Sequence, residues 1–208
     1  MLDTLYCMAC GYSAAAIVGI VIGVLMARVD ILYALLELFV EFWRPIPSVI
    51  FIPVFILYAG LGHPMNILVI AITATEAVVL NAFSGARSVS PVLLSTTATF
   101  RLSWWQTLRE IILPAAAPQI FVGLRLALAK SLVIAVAAGM VAGDAGVGYY
   151  VISAQQTLDI PKMYAGAISI AVIGYIFNAA FVLTERVALH WDVGRDRNAA
   201  ASRRRADP

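Results

Sequence analysis

The sequence predicts an all-α protein: a polytopic membrane helix bundle of about five transmembrane helices with a cytoplasmic loop. Three observations carry that expectation. The 208 residues are 62% hydrophobic and only 12% charged, whereas a soluble domain carries about 25% charged residues. Uncharged runs long enough to cross a hydrocarbon core of about 30 Å recur, Thr4 to Ala27 and Met163 to Thr184 among them. The alternation of apolar and polar residues that marks a membrane β-barrel is absent. The spans are therefore helices, each pairing its own backbone N–H and C=O groups inside the lipid.

The first span is the uncharged run Thr4 to Ala27. It is longer than the apolar stretch of a secretory signal peptide, and Asp3 stands where such a peptide is basic. Gly19 and Gly23 let a second helix approach closely. Cys7 and Cys10 form a lone Cys-x-x-Cys with no second pair and no βαβ pattern, so they read as two small residues one turn apart. From Asp30 to Arg44, Glu37 and Glu41 stand among Leu35, Leu36, Leu38 and Phe39, which predicts an amphipathic helix at the membrane interface. The run Pro45 to Thr75 contains no Asp, Glu, Lys or Arg and is too long for one crossing by about 15 Å. A turn at Gly60-Leu61-Gly62-His63-Pro64 divides it into expected spans at 46–60 and 65–83.

Between 88 and 118 the membrane character stops. Ser90 followed by Pro91 is an N-cap with proline at the first helical position, and predicts one short helix. Ser103 with Gln106 is a capping box, which predicts a second helix starting at Trp104, carrying Leu108, Ile111 and Ile112, and ending before Pro114. The two meet at Phe100-Arg101-Leu102. Pro118 to Gly143 is the fourth span, with Arg125 and Lys130 in its first half. The turn Gly143-Asp144-Ala145-Gly146-Val147-Gly148 lacks the Gly-Lys-Ser/Thr end and the preceding strand of a phosphate-binding loop. Tyr149 to Lys162 reads as a polar connection, and Met163 to Thr184 as the fifth span. A membrane domain over 1–194 is then followed by a basic, disordered tail over 195–208. Arg203-Arg204-Arg205, beside a membrane span, reads as an orientation signal or a contact with anionic lipid, not with nucleic acid.

Five spans put the termini on opposite sides. A cytoplasmic C-terminus places Arg28, Arg44, Arg87, Arg101, Arg109, Arg186 and the five tail arginines inside, and leaves only Lys162 outside, as the positive-inside rule requires. The 88–118 loop is then cytoplasmic.

Glu76 lies near the middle of the third span, where an ionised side chain costs a few kcal/mol unless it is paired or faces water. It either lines a solute pathway or pairs with Lys130 or a hydroxyl such as Thr73. Asn81 and Lys130 join it as candidate pathway residues, Lys130 being the cation an anionic solute would seek. Arg125 is expected to snorkel to the cytoplasmic surface. No catalytic constellation is present: His63 and His190 fall on opposite faces and no span holds a carboxylate pair. The chain is expected to hold no metal or cofactor of its own. Two other classes stand as alternatives: a membrane enzyme acting on lipid head groups, which needs clustered Asp, Glu or His at the interface, and an ATP-independent channel.

Arg44-Pro45-Ile46-Pro47, Gly85-Ala86-Arg87-Ser88-Val89, Trp105-Gln106, Ile111-Ile112-Leu113-Pro114, Gly123-Leu124-Arg125-Leu126 and Gly146-Val147-Gly148-Tyr149 follow one another along residues 5–190. In order and spacing they resemble the permease subunits of ATP-binding-cassette (ABC) importers, in the nitrate, sulfonate and taurine branch. The resemblance implies half of a translocation pathway for a small anionic or polar solute, in a bacterial inner membrane. It implies ATP bound by separate ATPase subunits, an extracytoplasmic solute-binding protein, and a second permease copy. The family's cytoplasmic loop reads Glu-Ala-Ala, three residues, Gly, nine residues, Ile-x-Leu-Pro. Here the right half is intact, but Ser95-Thr96-Thr97 replace Glu-Ala-Ala and Arg101 replaces the glycine. Ser95, Thr96, Thr97, Arg101, Leu102, Trp104, Trp105 and Pro114 are the coupling residues so implied. Arg101 is expected either at positive φ or beside a turn shifted by one residue. The family's glutamate in the fourth span corresponds to Gly139, and the additional N-terminal span usual in this branch has no counterpart before Thr4.

Overall fold

The computed structural model describes residues 2–143 and 145–190, so the tail assigned to 195–208 and the boundary at 194 lie outside the described residues. The described helices are α1 (Leu2–Arg28), α2 (Asp30–Trp43), α3 (Phe51–Ala59), α4 (His63–Arg87), α5 (Pro91–Thr99), α6 (Trp104–Gln106), α7 (Leu113–Ala142), α8 (Gly146–Gln156) and α9 (Ile160–Ala188). A 3₁₀ turn over Ser48–Ile50 precedes α3, and a π-helical segment over Thr107–Ile112 joins α6 to α7. Four stretches are long and apolar enough to cross a membrane: α1, α4, the continuous run Trp104–Ala142, and α9. Asp30–Trp43 with Ser48–Ala59 makes a fifth, bent by 91°.

α1 and α4 form the centre of the bundle. A Cβ on Gly11 would meet Ile70 at 2.8 Å, and one on Gly23 would meet the Val79 carbonyl at 2.5 Å. The partner numbers rise together along the seam, from Gly11 with Ile70 through Gly19 with Val78 to Gly23 with Val79, so the two helices run in the same direction. Their ends agree: Asp3 lies 3.3 Å from His63 Nε2, and Arg28 Nη2 donates to the Ala86 carbonyl at 2.6 Å. Parallel neighbours require the chain between them to return across the membrane. α2 begins beside α4's far end, where Tyr33 stacks on Phe83. Trp43 then stacks on Phe51 at 4.7 Å, and Ile52 is buried with Cys7, Met8 and Met65 at the opposite end.

The expected interfacial helix over 30–44 and straight span over 46–60 are thus the two limbs of one broken crossing. Nine residues of α3 reach only about 14 Å, too short to span alone. Pro45 and Pro47 account for the break, since neither can donate a helical hydrogen bond; Arg44 itself keeps helical angles, φ −53 and ψ −45, so the helix gives way only after it. Pro47 itself is extended, at φ −62 and ψ 123.

α7 runs antiparallel to α4, with Gly85 against Ala116 and Gly123 against Asn81. The expectation that the second loop helix stops before Pro114 is wrong, because helix persists through Pro114 and Pro118. Leu113 N–H donates to the carbonyl of Leu108, five residues back. That widened turn gives the proline ring room and leaves its missing donor without consequence. The expected polar connection after Tyr149 is also mostly helix: α8 opens at Gly146, φ 96, and folds onto the end of α7, where Gly148 faces Gly139. α9 then runs back along α7, with Phe121 and Phe181 6.0 Å apart. Its outer surface shows Tyr164, Ile168, Val172, Tyr175 and Leu183, an apolar face suited to lipid.

Candidate functional site

One candidate is the loop between α4 and α7. Ser90 Oγ accepts the Val92 N–H at 3.3 Å and opens α5. α5 ends with the Leu102 N–H donating to the Thr97 carbonyl at 3.0 Å, while Arg101 sits at φ 52. That six-to-one closure around a left-handed residue is a Schellman cap, in which the reversing residue is usually glycine. Positive φ at Arg101 is thus what the backbone adopts. The capping box is present in both directions: Gln106 N–H to Ser103 Oγ at 3.3 Å, and Ser103 N–H to Gln106 Oε1 at 2.8 Å.

Phe100, Trp104 and Trp105 are exposed at the tip, and Arg101 and Pro114 are also exposed. Ser95 and Thr97 turn their hydroxyls back to α5 carbonyls, Val92 at 2.9 Å and Leu94 at 2.7 Å, and Leu102 is half-buried. Thr96 lies on α5. The root of the loop is fixed by Leu108 and Ile112, which are buried with Val24, Ala82 and Ala86. Arg28 ties α1 to the last turn of α4, and Arg87 lies 4.7 Å from the Tyr33 ring and 5.4 Å from Phe83. In the sequence Arg28 is legible only as an orientation signal, and Arg87 only as that and as part of the Gly85–Val89 stretch. The Phe83–Arg87 pair, four residues apart on one helix, was the available sign of a further role.

The second candidate lies halfway along the bundle. Lys130 Nζ on α7 is 2.9 Å from Glu76 Oε2 on α4, with the side chains 43% and 16% exposed respectively. Glu76 also lines an open cavity of about 590 Å³ with Glu41, Arg44 and Pro45. Arg44 makes no ion pair among the described residues. Glu41 and Arg44 were expected at the membrane interface; the bend at Pro45 brings them instead to the depth of Glu76. Thr73 is buried and donates to the Val69 carbonyl at 2.8 Å, so it is not the partner of Glu76. Asn81 is not in this group: it donates to the Ala77 carbonyl at 2.8 Å, accepts from Gln119 at 3.1 Å, and packs against Gly123. Arg125 does not reach for the surface alone, because its Nε donates to Asn178 Oδ1 at 3.1 Å and ties α7 to α9.

At the other end of the bundle Asp159 caps α9, accepting the Lys162 N–H at 3.2 Å and pairing with Lys162 Nζ at 2.5 Å. The side-chain bond from Lys162 holds the Asp159 carboxyl below its ordinary value. No group of three or more His, Cys, Asp or Glu side chains is placed to hold a metal among the described residues.

Residues 19–187 match the family described as the binding-protein-dependent transport system inner membrane component. The chain belongs to that family. It is therefore a multi-pass membrane permease subunit, a transport component and not an enzyme. The permease is 32% identical over 188 residues to the Bacillus subtilis (strain 168) protein named for aliphatic sulfonates transport as the permease SsuC, covering 90% of this chain and 68% of that one. It is 30% identical to the taurine transport system permease protein TauC of Escherichia coli (strain K12), covering 86% and 65%. With the nitrate import permease protein NrtB of Synechocystis it shares 30% identity, covering 87% and 66%. The chain thus spans about two thirds of the length of these relatives. A solved structure of the MetNI methionine ABC transporter, in inward-facing conformations, shares the fold at a TM-score of 0.78 and 18% identity, covering 89% of this permease and 93% of that chain.

Proposed function

We propose that the permease forms half of the translocation pathway of an ABC importer for a small anionic or polar solute. Two ATPase subunits supply the energy, and an extracytoplasmic binding protein delivers the solute. A second copy of the chain completes the pathway as a homodimer in a bacterial inner membrane, with the C-terminus cytoplasmic. The observation that carries this reading is the sidedness of the bundle. Arg28, Arg87, Arg101, Arg109 and Arg186 gather at the end where the α5–α6 hairpin hangs, while Lys162 stands at the other. Ser95, Thr96, Thr97, Arg101, Leu102, Trp104, Trp105 and Pro114 then form the surface that meets the ATPase. Phe100, Trp104 and Trp105 supply the exposed aromatic anchors such an interface favours.

Glu76 and Lys130 lie on the pathway, and Asn81 stands beside it holding α4 to α7. A partly exposed ion pair at mid-membrane depth is stable where water or another subunit meets it, and costly against lipid.

Cysteine labelling tests the orientation. A cysteine at Ser103 is expected to be closed to an impermeant thiol reagent applied from outside intact cells, while one at Gln156 reacts. The opposite pattern rules the reading out. Co-purification of an ATPase with the wild-type chain, lost on deleting 91–106, tests the docking surface.

A further inference from the structure

α2 rests on the bundle without sinking into it, since none of its residues is buried. The cleft it leaves against α1 and α4 is a cavity of about 350 Å³, walled by Val18 and Ile22, Phe39 and Trp43, and Ile72 and Val79. Glu76, the charged group on that wall, is held by Lys130 at 2.9 Å. The two flanks of α2 differ in chemistry. Helical spacing turns Leu36, Phe39 and Trp43 toward the cleft, and Glu37, Glu41 and Arg44 the other way, where Glu41 and Arg44 border the open cavity beside Glu76. Ile17, Val18 and Val21 of α1 and Leu35 and Phe39 of α2 are exposed on the same two helices. In a chain that crosses a membrane, the apolar flank borders acyl chains and the charged flank borders water.

Depth decides which part of a lipid lies there. At helical rise, Ile22 and Val18 stand about 9 and 15 Å from Arg28 along α1, and Val79 about 12 Å from Arg87 along α4. The hydrocarbon of one leaflet is about 15 Å thick. A lipid whose phosphate is level with the two arginines therefore has the far half of an acyl chain at the cleft. Neither arginine makes an ion pair among the described residues. Arg28 Nη2 donates to the Ala86 carbonyl at 2.6 Å, but its Nε has no partner, and Arg87 lies over the Tyr33 ring. The Glu37 carboxylate is engaged by the Tyr33 hydroxyl. Asp30, exposed at the start of α2, offsets one of the two positive charges and leaves the other for a phosphate.

We propose that the cleft between α1 and α2 holds one acyl chain of an anionic phospholipid from the leaflet on the α5–α6 side, with its phosphate on Arg28 and Arg87. The chain fills the space that α2 leaves and seats the broken crossing against α1 and α4. The inference goes beyond the transport reading and holds whichever solute crosses.

Fluorescence quenching of Trp43, which lines the cleft, tests this in the full chain reconstituted in lipid nanodiscs, with Trp104→Phe, Trp105→Phe and Trp191→Phe removing the other tryptophans. The probes are phosphatidylglycerol and phosphatidylcholine brominated at acyl carbons 11 and 12, each titrated into unbrominated phosphatidylcholine. Both should quench along a saturating curve, with phosphatidylglycerol half-effective at about one fifth of the mole fraction. Val18→Phe fills the cleft and should leave only quenching proportional to bulk lipid. Arg87→Gln should bring the two lipids together at unchanged maximal quenching, and Arg28→Gln repeats that test should the first variant misfold. The proposal is overturned if quenching without these changes is strictly proportional to mole fraction, if Val18→Phe keeps the saturating curve, or if both arginine variants keep the preference. Absence of quenching by either lipid overturns it as well. A cysteine at Val18 that then joins two chains, in a background with Cys7→Ser and Cys10→Ser, would give the cleft to a second copy instead.

Discussion

Arg101 holds a conformation that glycine enters freely and that costs any other residue about 1 kcal/mol or more. At φ 52 it closes α5 at the exposed tip of the loop, and Ser95 stands where the family has an acid. A lost acid and a gained base shift the loop's charge by two units, which a matched ATPase surface must answer. Arg101→Gly with Ser95→Glu is expected to leave the fold as stable as before or about 1 kcal/mol more so, and to weaken docking to the permease's own ATPase. Thermal unfolding and a binding titration measure the two effects, and tighter docking would refute the idea of a matched partner. Asp159 gives a second case. Its carboxyl is held below the ordinary value by Lys162, so its contribution is fully present above the unfolded value and is lost as pH falls through the folded one. Asp159→Asn should lower the melting temperature at pH 7, and the difference from wild type should shrink only below about pH 4. The two were legible to different degrees: positive φ at Arg101 is one of the two outcomes its place in the loop pattern allows, whereas Asp159 reads only as part of a polar connection. Glu76 could be placed on the chain but not paired, because nothing local distinguishes Lys130 from Thr73.

The helices that follow from long uncharged runs lie where the sequence puts them, since 1.5 Å per residue and a fixed bilayer leave little freedom. The elements that did not follow are those whose ends are decided by neighbours. α8 forms because its glycines let it lie on α7, which no count of polar residues between 149 and 162 reveals. Pro114 looks like a stop, but a turn with a five-residue reach accommodates it. The α1–α4 seam gives a test at this scale. Gly23→Ala puts a methyl group 2.5 Å from the Val79 carbonyl, so the helices must separate, at a cost of about 1–3 kcal/mol. Gly139→Ala, whose nearest neighbour is 3.5 Å away, should be neutral or slightly stabilising. Matched denaturation of the two variants in detergent compares them, and equal losses would mean the seam is looser than described.

For the whole molecule, the parallel run of α1 and α4 decides the topology, because it makes the segment between them cross even though neither of its limbs spans alone. The sequence shows the number of crossings but not this arrangement: α2 reads as interfacial from its two glutamates, and only packing with Phe83 and the bend after Trp43 turn it into part of a span. A cysteine at Leu61, exposed between α3 and α4, should therefore react from the same side as one at Gln156; reaction from the side of Ser103 would mean that the bent pair turns back without crossing. The continuity of Trp104–Ala142 has a mechanical consequence. These 39 residues form a rod about 58 Å long, which the π-helical turn before Pro114 divides into two unequal arms. Trp104 lies about 15 Å from Pro114 along the axis and Lys130 about 24 Å beyond it. A rigid rocking about that turn that displaced the tip of the hairpin by about 1 Å would carry the backbone at Lys130 about 1.6 Å the opposite way, which couples the ATPase-facing tip to the Glu76–Lys130 pair.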